Sequence, residues 1–142
     1  MPTNAQFLSP VLALGAWTLV MWIWMYATRI PAMNAAGIDP QEAAYPGTWS
    51  QRLKSGVRSV ADNYNHLHEQ PTVFYALMFF AAMTGGGDPT ALKLAWAYVI
   101  VRVLHSLVQA TINRVIVRFS IFALGSIVLM IFTFREVMRT MG

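Results

Sequence analysis

The stretch 62–74, DNYNHLHEQPTVF, joins a run of polar and charged side chains directly to an apolar segment. From Pro71, the apolar part has only 14 residues before the glycine-rich turn 85–89. A bilayer core about 30 Å thick needs about 20 helical residues, so this segment is too short to cross a membrane alone. It therefore has to include the polar residues before it, back to about Asn65.

The overall composition is typical of a membrane protein. Of the 142 residues, 56% are hydrophobic and 11% are charged, whereas soluble proteins carry about 25% charged residues. The absence of cysteine excludes disulfide bonds and thiolate metal ligands. The net charge of +4 comes from scattered basic residues beside apolar runs. This pattern favours a lipid bilayer, and not a nucleic acid, as the partner.

Three further segments are long and apolar enough to cross a bilayer. The first lacks a basic region on its N-terminal side and a cleavage motif, so we expect it to stay in the protein and not to act as a signal peptide. The sequence therefore predicts an all-α integral membrane protein, a four-transmembrane-helix bundle that forms a single domain over residues 1–142. The approximate predicted helices are 8–28, 50–84, 91–113 and 115–136.

The second predicted helix is long because apolar residues recur at helical spacing well before the polar stretch. They are Leu53, Val57, Val60, Ala61, Tyr64 and Leu67. Thr48 or Ser50 could cap its start. We therefore expect one helix over about 50–84 that lies partly outside the bilayer, with a kink at Pro71 of the kind that membrane helices tolerate.

Lysine and arginine are unevenly distributed between the two ends of the predicted bundle. Six lie in the first loop, its helical extension and the turn before the last helix, and three lie at the opposite end. Cytoplasmic loops carry the excess of basic residues. We therefore expect a multi-pass protein of an inner or plasma membrane, with loops one and three cytoplasmic and both termini outside.

Polar residues share one face of the second predicted helix and one face of the third. Asn65, His66 and Glu69 are spaced i, i+1 and i+4. The stripe on the third helix consists of Arg102, His105, Ser106, Gln109 and Asn113. Since a short turn makes these helices antiparallel, a rise of about 1.5 Å per residue puts the two stripes at matching depths. We therefore expect Glu69 to contact Arg102 or His105, and Asn65 to contact Gln109.

Polar groups inside a membrane need partners, and these stripes fit a structural role as well as a functional one. Ion pairs and amide contacts can serve only to hold helices together. His66 and His68 lie near the interface and can simply be solvated. Together with His105 and Glu69 they could form a metal site, but the sequence has no spacing typical of zinc enzymes, so no metal is expected.

Arg114 and Arg118 lie four residues apart at the start of the last predicted helix. They can be snorkelling residues that set the orientation. They can also form an anion site beside the polar stripe, because the guanidinium fork binds carboxylates and phosphates. A cationic site shielded from water also favours a thiolate over a thiol. Since the chain has no cysteine, that thiol has to come from a ligand.

Two runs of sequence resemble motifs of the MAPEG family, the membrane-associated proteins of eicosanoid and glutathione metabolism. Residues 102–119, RVLHSLVQATINRVIVRF, look like the family signature between helices three and four. Residues 65–74, NHLHEQPTVF, look like its helix-two motif of Asn, Glu, Pro and Phe. Four spans with a long first loop also fit, so the resemblance covers nearly the whole chain and is to a bacterial-type member.

The resemblance implies a homotrimer of four-helix bundles, with glutathione bound between neighbouring subunits near the cytoplasmic side. The first and last helices, apolar on nearly every face, could pack against such neighbours. By the same resemblance, Arg118 matches the arginine that stabilises the glutathione thiolate and is the candidate catalytic residue. The candidate glutathione-binding residues are Arg29, Asn65, His66, Glu69, Arg102, His105 and Gln109.

Several positions depart from the family pattern. Gln109 stands where the eukaryotic enzymes have a tyrosine, and Phe119 stands where some members carry a hydroxyl. Asp62 and Asn65 stand where some members have basic residues.

These observations lead to two hypotheses about function. The first is a glutathione-dependent transferase or peroxidase that acts on a lipophilic electrophile delivered by the bilayer. The alternative is a non-catalytic structural or accessory membrane protein whose polar stripe stabilises the bundle or docks a partner. A transporter is a distant third, since the chain has no obvious internal repeat.

Overall fold

The structure, a computed structural model, describes residues 1–45 and 47–142, and within these ranges it contains helices and no strand. The long first loop carries two short 3₁₀ segments, Pro40–Ala44 and Ser50–Arg52. The five α-helices are α1 (Asn4–Ala35), α2 (Ser55–His66), α3 (Gln70–Met83), α4 (Pro89–Ala110) and α5 (Val115–Met141).

Three of these helices, α1, α4 and α5, are long and apolar enough to cross a membrane. The prediction of an all-α, multi-pass membrane protein is therefore confirmed. α3 has 14 residues, a length of about 21 Å, and does not cross a core of about 30 Å alone. The fourth crossing, which needs α2 and α3 together, stays a prediction.

The expected single helix over 50–84 is wrong, because the chain is broken between α2 and α3. α2 ends at His66, and Leu67 is its C-cap. A proline ring clashes with the carbonyl four residues before it and offers no N–H to that carbonyl. For Pro71 that residue is Leu67, so the helix stops there and restarts at Gln70. Pro71 thus ends one helix and begins another instead of kinking a continuous one.

The helix starts also differ from the predicted positions. α1 begins at Asn4, earlier than expected, because Thr3 and Gln6 form a reciprocal capping box. α2 begins at Ser55, after Lys54, which makes no side-chain cap. Thr48 and Ser50 therefore do not cap this helix, and residue 50 begins a 3₁₀ segment instead.

α4 lies at the centre of the bundle and packs against α1, α2 and α5. The apolar core beside it contains Phe7 and Leu14 of α1 and Phe74 of α3, all fully buried. The ring of Phe74 stacks on Tyr98 of α4 with 4.7 Å between centroids. This packing orients α4 so that its polar stripe faces the other helices. The outward face of α5 is largely exposed and apolar.

A buried ionic cluster joins the C-terminal part of α5 to the turn between α3 and α4. Glu136 is 1% exposed and accepts hydrogen bonds from Arg135 and Arg139, each at 2.9 Å or less. Arg135 also pairs with Asp88, and Arg139 donates to the backbone carbonyl of Thr84 at 2.9 Å. The carboxylate of Glu136 lies so close to Gly86 that a side chain there would displace it. The glycine-rich turn is therefore shaped around this cluster.

Candidate functional site

Arg102 of α4 lies between two histidine rings. Its Nη1 lies 2.7 Å from Nδ1 of His105, and its Nη2 lies 2.9 Å from Nδ1 of His66 on α2. The centroids of the two imidazole rings are 5.3 Å apart, and the ring planes are tilted by 30°, with Phe122 of α5 close to both. Arg102 is 3% exposed. Its Nη2 joins α4 to α2 at this level, and its Nη1 is held by His105 of the same helix.

The predicted contact of Glu69 with Arg102 or His105 is not formed. Glu69 follows the helix break, and its side chain is 65% exposed. Its Oε2 lies 3.6 Å from Nε2 of His66, and not beside Arg102 or His105. The expected depth of Glu69 rested on a continuous helix. His66, one turn earlier, occupies the place opposite Arg102 instead.

The predicted contact of Asn65 with Gln109 is also not formed, because Asn63 occupies the buried face of α2. Asn63 is fully buried, whereas Asn65 is exposed. Two residues along a helix are about 200° apart, so these two amides point to opposite sides. Two contacts set the register between α2 and the end of α4: His66 pairs with Arg102, and Ser59 pairs with Asn113. Asn63 lies between these two contacts along α2, as Ser106 and Gln109 do along α4.

A hydrogen-bonded chain crosses from α2 to the start of α5. Asn113, in the turn after α4, donates from Nδ2 to Oγ of Ser59 over 2.9 Å. Its Oδ1 accepts from Nη1 of Arg118 over 2.8 Å. Asn113 adopts a φ of 48°, the left-handed conformation that asparagine tolerates better than most residues. The turn thus presents one side chain to both helices, and Arg118 is half-buried beside it.

A polar cavity of about 300 Å³ lies between the end of α1, the first loop and α2. Arg29 stacks on Trp49, with the guanidinium carbon 4.5 Å from the ring centroid, and this contact forms one wall. Two cations and one carboxylate face the same space. The polar and aromatic residues that line the cavity are Arg29, Trp49, Ser50, Arg58, Asp62 and Asn65.

A second, much smaller cavity of about 10 Å³ lies where α4, α5 and the start of α3 meet. Arg102 and His105 line it, together with Tyr98 and Gln70. The hydroxyl of Tyr98 donates to Oε1 of Gln70 over 3.3 Å. Nε2 of Gln70 donates to Oγ of Ser126 over 2.8 Å. The polar groups of Tyr98 and Gln70 are thus bound to each other and to α5.

The predicted site residues therefore separate into distinct places. Arg102, His105 and His66 form one cluster, and Gln109 lies farther along the same face of α4. Arg29 and Asn65 line the polar cavity, and Arg118 lines neither cavity. Across residues 1–45 and 47–142, no group of three or more His, Asp or Glu residues is arranged to hold a metal ion.

Sequence reasoning missed several residues of the site. Ser59 and Asn63 share a face with His66 at spacings of i, i+4 and i+7, and this period could have identified them before the structure. Arg58 and Trp49 had no comparable signal. They reach the cavity because the first loop folds back against the end of α1, which no local pattern shows.

Comparison with known proteins supplies the classification of the chain. Neither the curated proteins nor the solved structures include a match to this sequence. A family model described as the MAPEG family matches residues 7–138, which is nearly the whole length of the chain. The match includes all five α-helices except the first three residues of α1 and the last three of α5. The chain therefore belongs to the MAPEG family.

Proposed function

We propose that this protein is a glutathione-dependent transferase or peroxidase that acts on lipophilic electrophiles. The observation that carries the proposal is the polar cavity between α1, the first loop and α2. Glutathione has carboxylates at both ends and an ammonium group at one of them. Arg29 and Arg58 supply cations for the carboxylates, and Asp62 supplies an anion for the ammonium. A volume of about 300 Å³ lies within the range of small-molecule sites.

The nucleophile in this proposal is the sulfur of glutathione, and Arg118 is the residue that favours its thiolate. Arg118 binds Asn113 through one terminal nitrogen. Other donors of the same fork can then point to a ligand. A guanidinium keeps its charge at every physiological pH, so it lowers the free energy of the thiolate without itself giving up a proton. Asn113 fixes the direction of the fork.

A homotrimer brings the two parts of this proposed site together. Within one chain, Arg118 does not line the cavity that contains Arg29. In a trimer, Arg118 of one subunit can face the cavity of the next, so that glutathione lies between subunits. The exposed apolar face of α5 supports such packing, because it can be covered by a neighbouring subunit as well as by lipid.

The proposed location is an inner or plasma membrane, with the polar cavity and Arg118 on the cytoplasmic side. Both belong to the end of the bundle where six of the basic residues lie. Glutathione is a cytosolic thiol, so this orientation gives it direct access. Gln109 in place of the tyrosine of the eukaryotic enzymes supports the assignment to a bacterial-type member.

The alternative proposal, a non-catalytic structural or accessory protein, is favoured by one observation. Arg102 uses both terminal nitrogens within the protein. This cation of the polar stripe therefore holds two helices together, and it offers neither terminal nitrogen to a ligand.

Glutathione binding and conjugation separate the two proposals. Detergent-solubilised protein is titrated with glutathione in a calorimeter, and the thiolate is followed by its ultraviolet absorbance. Conjugation is then measured with a generic aryl halide. The transferase proposal requires binding, a thiolate signal and turnover above the rate without protein. If the protein neither binds glutathione nor produces thiolate, the structural alternative replaces it.

A further inference from the structure

The contacts of Arg102 fix the protonation of two histidines. A guanidinium has five N–H donors and no acceptor. Since its Nη1 and Nη2 lie 2.7 Å and 2.9 Å from Nδ1 of His105 and His66, each Nδ1 has to accept with a lone pair. Both imidazoles are therefore neutral, and each carries its proton on Nε2. The tautomers follow from donor and acceptor chemistry alone.

The Nε2–H groups of these two rings have different surroundings. That of His66 faces the carboxylate of Glu69, 3.6 Å away. That of His105 has no hydrogen-bond partner among residues 1–45 and 47–142, and His105 is 2% exposed and lines the small cavity between α4 and α5. Nε of Arg102, which lines the same cavity, is also buried without a partner in the described part of the chain.

The small cavity is therefore a donor-rich site for a single acceptor atom. The hydroxyl of Tyr98 and one N–H of the Gln70 amide are already used within the protein. Nε2–H of His105 and Nε–H of Arg102 are further donors at this cavity, and neither has a partner in the described part of the chain. A volume of about 10 Å³ corresponds to about one water-sized sphere, which an oxygen atom fills. Buried donors without an acceptor are costly, so an oxygen atom, from water or from a ligand that displaces it, stabilises the site.

An apolar groove of about 510 Å³ runs along α3 and α5 next to this cavity, and Gln70 lines both. Its other walls include Val73, Met130 and Phe134. A ligand that places an oxygen at His105 can therefore lay a long hydrocarbon chain in the groove. Together, the small cavity and the groove fit a lipophilic molecule in which an oxygen is attached close to a long hydrocarbon chain.

The oxygen site also lies close to the proposed sulfur site. Phe122 packs near both imidazole rings, with centroids 5.6 Å from His66 and 6.0 Å from His105. Arg118 precedes Phe122 by four residues, which is about one turn or 5.4 Å along α5. Arg118 and Phe122 share one face of α5, so a thiolate held by Arg118 would lie on the side of α5 that faces the two imidazole rings.

We propose that His105 Nε2–H and Arg102 Nε–H bind the carbonyl oxygen of a long-chain α,β-unsaturated ketone. This inference rests on the proposed glutathione transferase function. The thiolate sulfur forms a bond to the β-carbon, the electron pair of the C=C bond moves to give an enolate, and the two donors stabilise the negative oxygen. The α-carbon then takes a proton from solvent, which replaces the proton that the thiol released.

Two substitutions at His105 separate this donor role from a structural one. Asparagine places an oxygen near the position of Nδ1, so His105→Asn keeps an acceptor for Arg102 and removes the distal donor. Glutamine places its amide near Nε2, so His105→Gln keeps a distal donor and loses the acceptor. A merely structural role would make His105→Asn the milder change, and the donor role would make it the more severe one.

The experiment measures kcat and KM for glutathione conjugation with a long-chain enone and with an alkyl iodide of equal length, which has no oxygen. We expect His105→Asn to lower the enone-to-iodide ratio of kcat about 100-fold, with His105→Gln near the wild-type ratio. Thermal unfolding verifies that both variants fold. An unchanged ratio in His105→Asn, or a wild type that conjugates the iodide but not the enone, overturns this inference alone. If wild type conjugates neither acceptor, both this inference and the proposed transferase function are wrong.

Discussion

Nη2 of Arg102 donates to Nδ1 of His66 over 2.9 Å, and this hydrogen bond joins α4 to the last residue of α2. The guanidinium is surrounded by neutral imidazoles instead of a carboxylate. Its charge is therefore stabilised by hydrogen bonds and not by a direct ion pair. The planar fork reaches rings on two sides at once, which makes the shape of this side chain as important as its charge.

Replacement of Arg102 by lysine tests the importance of that shape. An ammonium group is a compact charge and cannot span both imidazoles, so Arg102→Lys loses one hydrogen bond to a charged group. We expect the free energy of unfolding to fall by about 2 kcal/mol, seen as a lower Tm in detergent. Arg114→Lys, at an exposed position, is the control and should change stability by no more than about 0.5 kcal/mol. Equal Tm values for the two variants would contradict the prediction.

Arg118→Ala tests the proposed thiolate site. We expect conjugation to fall about 100-fold or more, because the thiolate loses its cation while the helix bundle remains folded. The matched control is Arg114→Ala, one turn earlier on the same side of α5, which should retain activity and the thiolate absorbance. Loss of activity in both variants to the same extent would indicate a general effect of surface charge.

Arg58→Ala tests the polar cavity as the binding site for the glutathione carboxylates. Loss of one charge-assisted hydrogen bond should weaken the Kd for glutathione about tenfold, which is about 1.4 kcal/mol. Lys54→Ala removes a cation one turn earlier that does not line the cavity, so its Kd should match that of wild type. Calorimetry in detergent gives both constants. A Kd for glutathione that is unchanged in the Arg58 variant would exclude this cavity as the binding site of the glutathione carboxylates.

Glu136→Gln tests the ionic cluster at the opposite end of the bundle. The change leaves Arg135 and Arg139 around a neutral amide in a buried setting. Removing one member of a buried charge network is expected to cost about 3 kcal/mol. The measurement is thermal unfolding, with Glu42→Gln as the control, because Glu42 forms an ion pair with Arg52 at the surface. A Tm shift no larger than that of the control would show that the cluster adds little.

The carboxylate of Asp88 gives the stability a dependence on pH. Burial raises the pKa of Asp88, but hydrogen bonds from Ala91 and Thr90 and the charge of Arg135 together lower this pKa below its usual value. A group whose pKa is lower in the folded state stabilises the protein above its unfolded pKa, about 3.9, and loses that contribution as the pH falls through the folded pKa.

Asp88→Asn should therefore lower Tm by a constant amount above about pH 5, and the difference from wild type should shrink below about pH 4. Tm is measured in detergent from neutral to acidic pH for both proteins. A difference that persists undiminished in acid would mean that the side chain acts through packing and not through its charge.

Local patterns predicted the three long apolar helices α1, α4 and α5 well, and the break before Pro71 and the contacts between helices less well. The antiparallel arrangement of the second and third predicted helices followed from the glycine-rich turn. It is confirmed by two hydrogen bonds, because His66 pairs with Arg102 whereas the earlier Ser59 pairs with the later Asn113. The choice of Glu69 as the partner was wrong, because the depth calculation assumed a helix that continued through Pro71. A single missing N–H at Pro71 changed which residue faces α4.

The sequence by itself determined that this is an all-α membrane protein, because apolar length and the scarcity of charge decide where a helix can lie. It also determined the polar stripe on α4, because helical periodicity puts Arg102, His105 and Gln109 on one face. Only the tertiary structure decided their partners. Packing of α2 and of the first loop places Asn63 and not Asn65 in the interior, and it puts Arg58 and Arg29 around the same cavity. Such an arrangement depends on residues far apart in the chain.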